Sequence, residues 1–348
     1  MTSRVLVTGS NGLVGRATVE RLLADGYDVR GADLQESSHT TAIEYRVCDV
    51  RRYDDVCDAL RSCDAVVHLA ALPSPRFADS STTFEINSMG TFNVFEAAAQ
   101  LGIQRVAQAS SVNAMGFTWN LGDFVPDRLP IDETQSVDVT DPYSFSKHVS
   151  EQIGEYAWRR NRISSVALRM PGVLPPGQAT SDEFVTQQSE ARAFIDWLDE
   201  LPPADRDSLL VEVRNRVLAF RAERALEFGR EQSEPAATEP GDVPEVLWQQ
   251  YMWGRFMLWS IVDVRDAAQA FSLALTAEYD GAHPLFISDD ANSVGCDPLQ
   301  LARLFYPGVE IVPEALQPGD SLISIERARR LLNYQPEHSA RDALRARQ

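Results

Sequence analysis

Lysine is almost missing from this chain. Of its 32 basic residues only Lys147 is lysine, and the other 31 are arginine. A bias toward arginine explains the 31 and leaves the exception, because lysine offers what arginine cannot: a compact ammonium on a flexible stem. Cysteine is scarce as well. Cys48, Cys57, Cys63 and Cys296 form no C-x-x-C pair, and their scatter in a long chain predicts reduced thiols in a cytoplasm rather than a disulfide framework. The five histidines (His39, His68, His148, His283, His338) have no His or Cys partner at ligand spacing, so no metal site is expected. Long apolar runs are absent: the stretch 65–72 falls far short of the ~18 residues of a membrane span. The first residues enter a strand pattern at once, so no signal peptide is expected. Positive charge is the sign in short supply, with 51 acidic residues against 32 basic and a net charge of −19. Such a surface repels a phosphate backbone and anionic lipid, which argues against nucleic acid and membrane as partners and leaves a small molecule.

At 348 residues the chain exceeds one average domain, and ~150 residues per domain points to two. Residues 4–8 (Arg-Val-Leu-Val-Thr) read as a buried strand. Further strands are expected at 28–32, 65–70, 105–109 and 166–169, and helices at 53–61, 87–101 and 147–160. Strands alternating with helices predict βαβ units and a parallel sheet. After Gly172 the pattern breaks at Pro175-Pro176-Gly177, and 182–231 turns helical. Phe194, Trp197, Leu198 and Leu201 make one apolar face there, and Leu209, Val213, Val217 and Phe220 another. Residues 234–244 read as a loop, Ser260-Ile261-Val262-Asp263 as a strand, and 324–348 as a polar helix that stops at Tyr334-Gln335-Pro336. The expected fold class is α/β: a Rossmann-type doubly wound parallel sheet over 1–172, to which 258–288 returns. Residues 173–257 and 289–348 form a smaller, mostly helical substrate-binding region.

Two motifs carry chemistry. Thr8-Gly9-Ser10-Asn11-Gly12-Leu13-Val14-Gly15 is a glycine-rich turn between a strand and a helix. There the backbone can approach a pyrophosphate at a helix N-terminus, whose free N–H groups and dipole favour an anion. Asp33 closes the second strand, where a carboxylate accepts hydrogen bonds from an adenosine ribose and repels a 2′-phosphate, favouring NAD over NADP. Tyr143-Ser144-Phe145-Ser146-Lys147 places a phenol and the sole lysine one helical turn apart. An ammonium beside a phenol with pKa ~10 favours the phenolate and suits it to acid/base work.

These motifs resemble the extended short-chain dehydrogenase/reductases, the NAD-dependent epimerase/dehydratases, over 1–173 and again at 258–271 and 320–336. The resemblance implies a cofactor turn of Gly9, Asn11, Gly12, Leu13, Val14 and Gly15. It adds Asp33, an Asp49-Val50 pair at the adenine, and Leu69, Ala70 and Ala71 beside the adenosine ribose. Tyr143 and Lys147 would touch the cofactor as well, Lys147 through the nicotinamide ribose. It gives catalytic roles to Tyr143, Lys147 and Ser111, with Asn87 supporting a water relay to the lysine or, on the residues alone, capping a helix. Ser110 is the one rival of Ser111, and His68 reads as a packed strand residue. The resemblance also implies a homodimer through the helices at 87–101 and 147–160.

Departures from the family pattern bear on substrate. Nucleotide-sugar members carry an asparagine where this chain has Gly172 and an arginine where it has Trp259; neither replacement offers charge to a diphosphate. Dehydratase members carry a threonine and an acidic pair where Ser111-Val112-Asn113 stands. Phe117 and Trp119, in the loop before Tyr143, are either substrate neighbours or loop core. The stretch 182–231 is a lid, an oligomer surface or a surface elaboration. The expected activity is an NAD-dependent oxidoreductase acting on a carbinol or carbonyl of a small polar, sugar-like molecule, a free sugar or a sugar acid. Its alternatives are an NAD-dependent sugar or nucleotide-sugar epimerase and a non-catalytic dinucleotide sensor.

Overall fold

A computed structural model describes residues 3–36, 43–228, 243–341 and 344. Seven strands form one parallel sheet: β1 (Arg4–Thr8), β2 (Asp28–Asp33), β3 (Glu44–Val47), β4 (Ala65–His68), β5 (Arg105–Ser111), β6 (Ser164–Met170) and β7 (Ala282–Phe286). Their order across the sheet is β3-β2-β1-β4-β5-β6-β7. Apolar β-branched runs such as Val5-Leu6-Val7 and Ala65-Val66-Val67 are buried on both faces, as a parallel sheet between helical layers requires. The strand order reverses between β1 and β4, so a crevice opens outside their carboxyl ends.

The helices over the sheet are α1 (Leu13–Ala24), α2 (Tyr53–Leu60), α3 (Gly90–Leu101) and α4 (Pro142–Asn161). Helix α4 starts five residues before the expected 147, because Pro142 opens it and the Asp141 carboxylate caps the Ser144 N–H at 2.9 Å. Tyr143 and Lys147 therefore ride on one helix. Before α3, residues Glu85–Met89 form a π-turn.

The insertion is two helices, α5 (Asp182–Glu200) and α6 (Pro203–Ala222). It is integral to the fold: Ile195, Leu198, Val213 and Val217 pack with Leu247, Phe256, Leu301 and Phe305 in one core cluster. Trp197, expected on the apolar face, stays half exposed. The chain then returns to the sheet. Ile261–Asp263 pairs with Gly172–Leu174, α7 (Val264–Thr276) packs on α1, and β7 extends the sheet edge. Strand β7 escapes a reading of periodicity because it contains Pro284, which a sheet tolerates at its edge. The expected C-terminal helix is shorter, Glu326–Leu332, ended by Asn333 in a left-handed conformation. Part of the expected 182–231 helix, most of the 234–244 loop, and His39 lie outside the described residues. Among the described residues no helix is long and apolar enough to cross a membrane.

Phe271 on α7 is fully buried in the core shared with β1 and β6. Phe271→Ala should lower unfolding stability by about 3–5 kcal/mol in urea titration. A loss below about 1 kcal/mol would show that α7 is not seated as described.

Candidate active site

The crevice at the strand reversal is a continuous cleft in two halves, about 420 and 600 Å3, that share Gly9, Gly12, Leu69 and Ala71. The glycine turn forms its floor. Gly9 has φ +67°, and a Cβ there would lie 2.6 Å from the Ala70 nitrogen. A Cβ at Gly15 would run into the Gly9 carbonyl oxygen. Both positions demand glycine, and α1 begins without any side-chain cap, so its N–H groups face the cleft free. In the smaller half Asp33 accepts from the Asn11 N–H at 3.0 Å and the Leu34 N–H at 2.8 Å, which orients its carboxylate. Asp49, Val50, Leu69, Ala70 and Ala71 line the same half. Asp49 is forked by the Arg51 guanidinium, which holds its carboxyl below the usual range. Cradle, anion-friendly helix end and ribose-ready carboxylate together fit a dinucleotide.

The larger half holds the candidate catalytic groups. Ser111, Tyr143 and Lys147 line it together. Burial pushes the Tyr143 phenol up to about 12, against an opposing hydrogen bond from Ser111. Burial also pushes Lys147 down to about 8, opposed by Glu151. The Lys147 ammonium donates to the Ala109 carbonyl at 2.9 Å and lies 6.0 Å from the Tyr143 ring centre. Desolvation therefore dominates at the phenol in the absence of a bound cofactor. Ser110 is committed elsewhere: it donates to Glu151 at 2.6 Å, and Glu151 is forked by buried Arg169 at 2.9 and 2.7 Å.

Asn87 sits in the π-turn, not at a helix cap. Its amide donates to the Leu72 carbonyl and the Ser146 hydroxyl and accepts from the Leu72 N–H, tying the loop after β4 to α4. His68 is buried and held neutral, its pKa pushed down to about 3. Thr91 already donates to the Asn87 carbonyl, so His68 Nε2 must carry the proton that Thr91 accepts.

The wall opposite Tyr143 contains Thr118, Trp119, Gly172, Val173, Trp253 and Met257. Trp119 thus reaches the cleft, while Phe117 is fully buried against Phe124 and Phe286 as loop core. Trp259 does not line the cleft. It packs edge-on to Phe305, and its indole N–H donates to Gln250 at 2.7 Å, beneath the turn that carries Trp253. Trp253 and Met257 carry no spacing signal; only the folded insertion brings them to the site. Among the described residues, Tyr143 and Lys147 are the sole ionisable groups lining this half.

The sequence matches the model of the NAD dependent epimerase/dehydratase family over residues 5–193. It is 35% identical over 203 residues to L-arabinose 1-dehydrogenase (NAD(P)(+)) of Haloferax volcanii, covering 56% of this chain and 75% of that one. It is 30% identical to UDP-glucose 4-epimerase of Lacticaseibacillus casei, covering 51% and 55%. A short-chain dehydrogenase/reductase superfamily protein from Agrobacterium tumefaciens with bound NAD shares the fold at TM-score 0.61 and 24% identity, over 99% of this chain and 95% of that one.

Asp141 gives the site a testable pH signature. Burial pushes its carboxyl up to about 6, and its Oδ2 has no hydrogen-bond partner among the described residues. The folded pKa lies above the unfolded one, so charging this group costs the fold nothing below about pH 4 and the full amount above about pH 6. Asp141→Asn keeps a capping oxygen and removes the charge. It should stabilise the protein by on the order of 1–3 kcal/mol at pH 7.5, an advantage that fades toward pH 4. A stability difference independent of pH would contradict the assignment.

Proposed function

The chain belongs to the NAD-dependent epimerase/dehydratase family, and from that premise we propose that it oxidises an uncharged carbinol of a free sugar with net reduction of NAD. One observation carries this reading: the substrate half of the cleft has no ionisable side chain besides Tyr143 and Lys147 among the described residues. A sugar acid, a sugar phosphate or a nucleotide diphosphate would bring in an anion with no arginine to meet it, and an unpaired desolvated charge is costly. Similarity to an L-arabinose dehydrogenase, whose substrate name denotes a neutral sugar, agrees with it.

In this reading Gly9, Gly12 and Gly15 hold the pyrophosphate, Asp33 the adenosine ribose, and Lys147 the ribose next to the reacting ring. NAD, when bound, supplies the hydride acceptor and a positive ring charge that favours the phenolate. Ser111 fixes the substrate oxygen, and Tyr143 takes the hydroxyl proton as the carbinol becomes a carbonyl. Lys147 keeps its charge beside that phenol, and the apolar wall excludes water.

The protein acts as a homodimer in the cytoplasm in the same reading. Phe84 and Phe145 stack with ring centres 5.6 Å apart and remain exposed beside exposed Met89, an apolar patch on the elements that open α3 and α4. Cys48, Cys63 and Cys296 are buried thiols with raised pKa, suited to a reducing compartment.

Rising absorbance at the NADH band, in step with neutral sugar consumed, is the expected result. Conversion without absorbance change would instead identify an epimerase, and binding without turnover a sensor. Tyr143→Phe should cut turnover by ~10² or more with NAD affinity nearly intact. Lys147→Arg should lose most activity and weaken NAD binding, since the planar head does not fit a buried ammonium site. Near-normal turnover by Lys147→Arg, with unchanged NAD affinity, would refute the role of the lone lysine. Light scattering should give twice the 38.7 kDa chain mass, with Phe145→Glu shifting it toward monomer. A monomer across a concentration series would disprove the dimer.

A further inference from the structure

If the substrate is uncharged, as proposed above, its grip must come from shape, apolar contact and hydrogen bonds. Resting on that reading, we propose that Trp119 and Trp253 form a two-walled corner that stacks the C–H face of a closed sugar ring, and that the buried Arg221 holds the corner together.

The two indoles meet edge to face, with centres 5.9 Å apart and planes at 77°. Both line the cleft with Ser111 and Tyr143. They come from different parts of the chain: Trp119 from the loop after β5, and Trp253 from the π-turn Gln250–Gly254 that follows the insertion. An aromatic face carries negative quadrupole charge, and the axial C–H groups of a sugar ring are weakly positive. Two such faces at nearly a right angle can seat a flat, closed ring and direct one carbinol toward Tyr143. A flexible open-chain polyol presents no flat face to either wall.

Arg221, on α6, is only 1% exposed. It donates from Nη1 to the carbonyls of Thr118 at 2.6 Å and Asn120 at 2.9 Å, the residues on either side of Trp119. Nη2 donates to the carbonyl of Met252 at 3.1 Å, the residue before Trp253. The guanidinium lies 3.4 Å from the Phe256 ring centre. No carboxylate lies within ion-pair distance among the described residues; Asp123 and Asp141 act only at longer range. A buried cation without a paired anion is costly, so its retention calls for a use. A planar fork can join three carbonyls from two separate segments, whereas an ammonium cannot reproduce that geometry. The insertion therefore serves the substrate site through Arg221, and Trp259 braces the far end of the same turn through Gln250.

The test uses the full-length protein at saturating NAD, following NADH with neutral pyranoses and pentoses and with open-chain polyols of the same carbon number. Trp119→Leu and Trp253→Leu should each raise KM for the ring sugar about tenfold or more, with kcat held within about threefold. Arg221→Met should raise KM similarly, Arg221→Lys should not rescue it, and NAD affinity by calorimetry should stay within about twofold. Unchanged KM in both tryptophan variants, or open-chain polyols oxidised as efficiently as rings, would overturn the corner. Should Arg221→Met fail to fold, the tryptophan variants decide alone. Oxidation confined to sugar acids or phosphates would overturn the uncharged reading instead, and KM of the tryptophan variants on that substrate would then judge the corner by the same criterion.

Discussion

Close seating of α4 on the sheet is the constraint from which the active site follows. Small residues make it possible: a Cβ on Gly154 would come within 3.0 Å of the Ser165 hydroxyl, and Ser146 and Ser150 are buried beside the π-turn. That approach buries Tyr143 and Lys147 together, and several other polar groups on the inner face are paired across it. Glu151 meets Arg169 and Ser110, Ser146 meets Asn87, and Ser150 donates to the Asn87 carbonyl. A buried ion pair of this kind contributes little net stability, yet removing one partner strands a charge. Its value here is geometric: it fixes where the catalytic helix lies over β5 and β6.

Burial also sets the chemistry. Desolvation moves Tyr143 and Lys147 in opposite directions, each away from its charged form. In the proposed reaction a bound dinucleotide would supply the positive charge that favours the phenolate. The substrate half follows a different rule. Among the described residues no arginine lines that half, and the buried Arg221 donates to backbone carbonyls. In the proposed reading, recognition there rests on aromatic surface and hydroxyl groups.

Much of this was legible in the residues. The glycine turn, Asp33, Tyr143 and Lys147, which the fold brings to one cleft, were marked by local pattern, because a glycine turn and a helical Tyr-x-x-x-Lys are both short-range signals. The parallel sense of the sheet follows from βαβ alternation. Less legible were β3, a polar edge strand, and β7, which carries a proline. The tryptophans were split: Trp119 reaches the cleft while Trp259 lies beneath it, and Trp253 gave no signal at all. Its place depends on how α5, α6 and the turn at 250–254 pack, a long-range outcome that no spacing encodes. The burial of the phenol was equally hidden, since one helical turn says nothing about desolvation.

The proposed cleft accepts a neutral carbinol and rejects an anion. The direct measurement is kcat/KM with NAD for a set of neutral sugars against the corresponding uronates and sugar phosphates, read as NADH formation. The account predicts at least one neutral sugar favoured by tenfold or more, about 1.4 kcal/mol of differential transition-state binding. A uronate or phosphate favoured by the same margin would contradict it.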